Sequence, residues 1–237
     1  MRLDKFFSDM GLLSRRDCAR AVSRGEITVD GVPATRADMK IDEGKSRVAL
    51  RGEEISFSKY VYVMLHKPAG YISATTDGRA PVVTELLPEV LQKRGLFPSG
   101  RLDKDTTGFM LLTDDGALSH KLLSPKHHVE KVYSFALDAP LPTGAEERFL
   151  AGVTLGEETC KPASLSLAPD RMAGEIVLTE GKYHQIKRMM QGEGCTVTSL
   201  KRESFGGIPL DESLSPGAWR YLTEEERDTL LHAADPK

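Results

Sequence analysis

The chain is poor in several things that would have placed it at once. Of its 237 residues only 6% are aromatic, with a single tryptophan. Cysteine is scarce: Cys18, Cys160 and Cys195 are odd in number, far apart and without a C-x-x-C pair, which argues against a disulfide framework or a zinc cage and for a reducing compartment. No apolar run approaches the ~20 residues that cross a bilayer; Phe109-Met110-Leu111-Leu112 is typical of what there is. The opening Met-Arg-Leu-Asp-Lys is polar, without the apolar stretch of a signal peptide, so the expectation is a cytoplasmic protein with no membrane partner. A large charge of one sign is missing too, the formal net charge being −3, so any polyanion must be met by local patches. G-x-x-x-x-G-K-[ST], G-x-G-x-x-G, H-E-x-x-H and G-x-S-x-G do not occur, and His127-His128, being adjacent, point apart in a strand; nothing calls for a nucleotide, flavin or metal.

The composition that remains, 40% hydrophobic and 28% charged, is that of a globular protein long enough for one large or two unequal domains. Its charge is segregated. Residues 1–24 hold Arg2, Lys5, Arg15, Arg16, Arg20 and Arg24 against Asp4, Asp9 and Asp17. Residues 181–205 hold Lys182, Lys187, Arg188, Lys201 and Arg202 against Glu193 and Glu203. Residues 211–228 invert the balance, with Asp211, Glu212, Glu224, Glu225, Glu226 and Asp228 against Arg220 and Arg227. These are either solvated faces or two basic zones for a polyanion with an acidic tail turned away.

Ser14-Arg15-Arg16-Asp17 has the spacing of a capping box, predicting a helix from Arg15 to Arg24 that stops at Gly25. Cys18, Ala21 and Val22 form its inner stripe, and Arg16, Arg20 and Arg24 an outer ridge at four-residue intervals. Alternation through 26–32 with Asp30-Gly31 predicts a tight hairpin, followed by short strands at Val48–Leu50 and Ile55. An arginine ridge beside a hairpin suits phosphate oxygens, or is an ordinary exposed face. Ser56–Lys59 reads as a linker, dividing a module of residues 1–58 from a larger domain, 60–237.

In the second part, strands are expected at Tyr60–Leu65, Phe109–Thr113, Lys131–Leu137 and Glu175–Thr179, with helices at Ala117–Leu123 and Tyr183–Gln191, the latter burying Ile186, Met189 and Met190. Strands outnumber helices without regular alternation, which predicts an α+β fold with a largely antiparallel sheet. Asp103 and Asp105 lie in a loop between Gly100 and Gly108 at a strand entrance, where they either present a reactive carboxylate or hydrogen-bond the turn. Tyr133 on its own is a half-buried strand aromatic, and 181–188 on its own a solvated helix start.

Taken together the segments say more. Arg-Leu-Asp-Lys-Phe (2–6), Ser-Arg-Arg (14–16) and Gly-Glu-Ile-Thr-Val-Asp-Gly (25–31) resemble the S4-like RNA-binding module. Gly-Arg-Leu-Asp-Lys-Asp-Thr-Thr-Gly (100–108) resembles the signature loop of the pseudouridine synthases. His-Lys-Pro-Ala-Gly-Tyr (66–71), Lys-Val-Tyr (131–133), Gly-Lys-Tyr-His-Gln-Ile-Lys-Arg-Met (181–189) and Leu-Lys-Arg (200–202) are similar to that family's further motifs, in the same order. With the S4-like module in front, the whole chain resembles the RsuA branch, which acts on ribosomal RNA. His66 stands where that branch usually has Asn, and Phe109 where it has Leu.

The resemblance implies a small S4-like α/β module followed by a largely antiparallel mixed-sheet catalytic domain that isomerises a uridine of 16S rRNA without any cofactor, as a monomer. Asp103 matches the catalytic aspartate, Tyr133 the active-site tyrosine and Lys187 the basic partner of the aspartate, where relatives often carry Arg. Leu200 matches an apolar wall of the base pocket, and Arg101, Arg188, Arg16 and Arg20 are candidate substrate or RNA contacts. Action on 23S rRNA, or a non-catalytic S4-type role in RNA binding or ribosome assembly, are the competing readings.

Overall fold

The computed structural model describes residues 1–42, 44–55 and 57–235. The chain divides into two compact units, one of residues 1–61 and 87–96, the other of residues 62–86 and 97–237. Of the expected linker, Ser56 lies outside the described residues.

In the first unit helices α1 (Leu3–Asp9) and α2 (Arg15–Ser23) accompany strands β1 (Ile27–Val29), β2 (Val32–Pro33), β3 (Val48–Leu50) and β4 (Glu53–Ile55), in the antiparallel order β2-β1-β3-β4. The short helix α3 (Glu89–Arg94) also groups with it. Ser14 caps α2 as its spacing predicts, accepting from Asp17 N at 3.1 Å. The return half of the box is not made: the Asp17 carboxylate accepts from the Ser14 hydroxyl at 2.6 Å and pairs with Arg20. Cys18, Ala21 and Val22 are buried with Leu3, Phe6 and Phe7 of α1, a helix the sequence pattern did not reveal. Asp30 (φ 52°) and Gly31 (φ 80°) both take the left-handed conformation of a two-residue hairpin turn, setting Val29 opposite Val32.

The second unit is built on a nine-stranded sheet. In chain order its elements are β5 (Tyr62–Lys67), a 3-10 turn at Val83–Leu86, β6 (Phe97–Pro98), β7 (Thr107–Thr113), α4 (Gly116–Leu123), β8 (Lys131–Leu137), α5 (Ala145–Ala151), the hairpin β9 (Thr154–Leu155) and β10 (Glu158–Thr159), β11 (Ser164–Leu167), β12 (Ala173–Leu178), α6 (Gln185–Gly192), β13 (Val197–Phe205), β14 (Ile208–Pro209), β15 (Trp219–Tyr221) and α7 (Glu224–Ala234). The strand order is β11-β12-β8-β13-β7-β5-β15, with β14 on β13 and β6 on β7; β9 and β10 pair separately. Every pairing is antiparallel except β13 with β7, so the α+β, largely antiparallel fold class expected from the pattern is the one observed.

Phe109 to Leu112 are fully buried, because β7 lies inside the sheet with both faces covered. One face packs Met64, Phe109, Leu111 and Phe205 against Leu118 and Leu122 of α4 and Leu230 of α7. Helix α7 carries Glu224, Glu225, Glu226 and Asp228 of the acidic tail. Thr223 and Glu226 form a complete capping box at its start, and the three glutamates of its first turn suit the positive end of the helix dipole. Arg220 neutralises part of the tail by pairing with Asp211 at 2.6 Å and Glu226 at 2.7 Å. Helix α6 begins at Gln185, two residues later than periodicity predicts, since His184 is left-handed at φ 48° and stands outside it as the cap.

Candidate active site

The parallel pairing of β13 with β7 positions the site. Gly108 stands opposite Lys67 of β5 on one side and Arg202 of β13 on the other. The loop 100–106 enters β7 at this crossing, so its shape is set by three strands distant in sequence. A Cβ on Gly108, whose φ is 103°, would lie 2.3 Å from the Arg202 carbonyl oxygen, so no side chain fits.

The loop is pinned from below. Lys67 is fully buried, and its ammonium donates to the carbonyl oxygens of Thr106 (2.7 Å), Asp103 (3.0 Å), Pro68 (3.2 Å) and Lys104 (3.2 Å). Burial pushes this amine down to about 8, against the opposing pull of Asp105 and Asp103. Ser73 grips Leu102 twice, its hydroxyl donating to the carbonyl at 2.8 Å and accepting from the amide at 2.9 Å, and Gly70 N donates to Lys104 O at 2.8 Å. The His-Lys-Pro-Ala-Gly motif is thus the floor of the aspartate loop. His66 sits in this floor with Nδ1 2.7 Å from the Leu214 carbonyl.

Lys67→Met is expected to lower stability by about 2 kcal/mol or more, because four loop carbonyls lose the donor that a buried ammonium gives them. A fall of at least about 5 °C in the thermal midpoint, followed by circular dichroism, would register this in a domain of the size of the second unit. Activity should fall with it, since the loop loses its anchor.

Above that floor the carboxylate of Asp103 is one-quarter exposed. Its Oδ2 lies 3.1 Å from Lys187 Nζ, and its Oδ1 3.4 Å from His184 Nε2. Lys187 also donates to Asp105 Oδ1 at 2.6 Å. Partial burial draws the Lys187 amine down, but hydrogen bonds to Asp105 and Asp103 outweigh it and leave it raised, while Lys187 in turn holds Asp105 below the usual carboxylate range. The two aspartates left undecided by their spacing therefore part company: Asp103 faces a cleft, and Asp105 is a three-quarters exposed second partner for the same lysine.

The cleft, about 80 Å³, is lined by Asp103, Tyr133, Leu200, Lys187, His184 and Arg101 among others. Tyr133 comes from β8 and Leu200 from β13, both nearly buried. Tyr133 is buried more deeply than its strand position alone implies, because it stands opposite Arg202 in the β8–β13 register, mid-sheet. Arg101 is exposed on the rim. Arg188 does not line the cleft; its guanidinium donates to the Leu155 carbonyl at 3.2 Å.

Several groups that shape the site escape a reading by pattern. Besides Lys67 and Ser73 they include Arg202, 2% exposed, whose Nε donates to Phe109 O at 2.7 Å while the guanidinium lies 4.9 Å from the Phe205 ring centroid. Glu180 holds the entrance to α6 by accepting from Gln185 Nε2 at 2.8 Å and from Lys161 N at 2.9 Å. Among the described residues no group of three or more His, Cys, Asp or Glu is placed to hold a metal ion.

In the first unit Arg16 and Arg20 are both exposed, and Arg20 pairs with Asp17 along the helix. Neither lines the larger cleft of this unit, about 790 Å³, around which Lys5, Arg15, Lys59 and Lys93 outnumber Asp9 and Glu89.

A loop-borne carboxylate held by a lysine, over a cleft walled by tyrosine and leucine, on an antiparallel sheet with one parallel seam, defines a class. Residues 61–192 match the RNA pseudouridylate synthase family, and residues 1–45 match the S4 domain. The chain belongs to the RNA pseudouridylate synthase family and is an RNA pseudouridine synthase, an isomerase. Within that family it is similar to proteins named ribosomal small subunit pseudouridine synthase A. That of Vibrio cholerae is 44% identical over 95% of this chain and 97% of the relative. That of Escherichia coli is 41% identical over 95% and 98%. A crystal structure of a pseudouridylate synthase, 33% identical, superposes with a TM-score of 0.69 over 97% of this chain and 99% of its own.

Proposed function

We propose that this enzyme converts one uridine of 16S ribosomal RNA to pseudouridine, with Asp103 as the catalytic carboxylate. The observation that carries the assignment of Asp103 is its pairing with Lys187 at 3.1 Å beside a cleft walled by Tyr133 and Leu200. Isomerisation breaks the N1–C1′ bond, turns the base and joins C5 to C1′; the product is an isomer, so no oxidant, reductant or energy source enters the balance. A carboxylate paired with a lysine can attack the sugar or the base, or stabilise a cationic sugar. Tyr133 stacks on the uracil and is positioned to take the C5 proton. Leu200 closes the apolar side, and Arg101 at the rim meets a phosphate. N1 and C5 are out of reach in a stacked helix, so the uridine enters flipped out or from an unpaired segment. Each residue named comes from one chain, so a monomer suffices, working in the cytoplasm where the ribosome is assembled.

The small-subunit target is supported by the relatives' names and identity levels. Its test is to map pseudouridine in ribosomal RNA from cells with and without the gene. One 16S position should lose its modification on deletion and regain it on complementation. A position in 23S RNA instead would replace the substrate while keeping the chemistry, and no lost position in either RNA would end the ribosomal assignment.

The S4-like module, residues 1–58 in this reading, supplies the RNA grip through Arg16 and Arg20. Phosphate contacts release counterions, so replacing both arginines with alanine should weaken binding and reduce the slope of log K against log salt by about one to two. A filter-binding titration across salt concentrations measures it; an unchanged slope would remove the ridge from the interface.

A further inference from the structure

Stacked on His184, which lines the cleft, is an aromatic ring that the reaction above does not use. Tyr183 is 75% exposed, the highest value among the exposed large hydrophobic side chains of the described residues. Its ring lies flat on that of His184, centroids 3.9 Å apart and planes inclined by 15°. Neighbouring residues in a helix or strand cannot stack in this way, because a helix turns successive side chains by about 100° and a strand sends them to opposite faces. The left-handed backbone of His184 (φ 48°, ψ 34°), uncommon for a residue with a Cβ, is the local feature that departs from both geometries. His184 in turn reaches Asp103 at 3.4 Å through Nε2 and lines the cleft. The lower ring of the pair is thus tied to the catalytic carboxylate, and the upper ring is offered to solvent.

A uridine that leaves its stack to enter the cleft strands its neighbours, whose faces lose a partner. An exposed aromatic face beside the entry point can replace it, and does so without reading hydrogen-bond edges, since every base has a π-face. We propose that the Tyr183–His184 stack is a second nucleobase subsite, on which the base of a nucleotide adjacent to the target uridine packs while the uridine itself lies between Tyr133 and Leu200. The subsite rests on the reading of the Asp103 cleft as the uridine site.

Steady-state kinetics on an RNA fragment carrying the mapped uridine tests it. Tyr183→Ala should raise KM about tenfold, the loss of one base stack, with kcat within about twofold, and Tyr183→Phe should match the unsubstituted enzyme. An abasic nucleotide at one of the two flanking positions should raise KM about tenfold in the unsubstituted enzyme and no further in Tyr183→Ala, because the two changes remove the same contact. A Tyr183→Ala KM within about twofold of normal overturns the subsite, as do losses that multiply. Should the unsubstituted enzyme form no pseudouridine in any ribosomal RNA, the uridine reading fails by itself. The stack is then decided by photocrosslinking the full-length protein to a 5-iodouridine-bearing oligoribonucleotide: a crosslink on Tyr183 supports it, and its absence overturns it.

Discussion

Asp103→Asn is expected to abolish pseudouridine formation, by on the order of 10³-fold or more, while leaving the fold and RNA binding intact. The substitution keeps the volume of the side chain and an oxygen for Lys187 but removes the negative charge, on which covalent attack by the carboxylate and stabilisation of a cationic sugar would both depend. Its structural cost is small for a specific reason. The loop is held through main-chain atoms, by Lys67, Ser73 and Gly70, and the Asp103 carboxylate, one-quarter exposed, takes no part in that scaffold. Lys187 retains Asp105 as a partner. Pseudouridine measured by sequencing, beside a melting curve and an RNA titration on the same preparation, separates the outcomes. Residual activity within about tenfold of normal would move catalysis elsewhere, and a lowered melting temperature would make Asp103 a structural residue.

Gly108→Ala should destabilise the second unit by about 4 kcal/mol or more, an exceptional loss for one methyl group. The added Cβ would meet the Arg202 backbone oxygen at 2.3 Å and nitrogen at 2.6 Å, and main chain in the middle of a sheet has no rotamer with which to yield. The left-handed φ of 103° adds strain independent of space. Because Gly108 is paired with both Lys67 and Arg202, relief requires parting β7 from β13, the seam beneath the aspartate loop. A fall of about 10 °C or more in the melting temperature is expected, or insolubility on expression. Gly116→Ala provides the control: that residue opens α4 with nothing within 4 Å of its Cβ position, so alanine there should be neutral or mildly stabilising.

Elements with strong local signals were legible from the chain itself. The Ser14 cap, the buried stripe of α2, the Asp30-Gly31 turn and the strand at 131–137 depend on neighbours a few residues away, and each appears where its pattern puts it. Helix α1 was not legible, because seven residues give a periodicity of 3.6 too few turns to register. Helix α7 carried a signal that a tally of acidic residues passed over: Thr223 and Glu226 have the capping-box spacing. The start of α6 was misjudged because propensity does not foresee a left-handed histidine.

For the site the division is similar. Asp103, Tyr133, Lys187 and Leu200 were singled out by the order of their motifs, and a loop, two strands and a helix far apart in sequence bring them to one cleft. The near-neutral net charge, the segregated basic zones and the Gly-bounded aspartate loop are properties of the chain alone, since they require only residue identity and spacing. Tertiary structure decided which aspartate faces the cleft, that Lys67 and Arg202 are buried cations rather than solvated ones, and that β13 runs parallel to β7. Those outcomes arise from contacts across tens to about a hundred residues, where burial and register overrule what lysine, arginine or aspartate does by default.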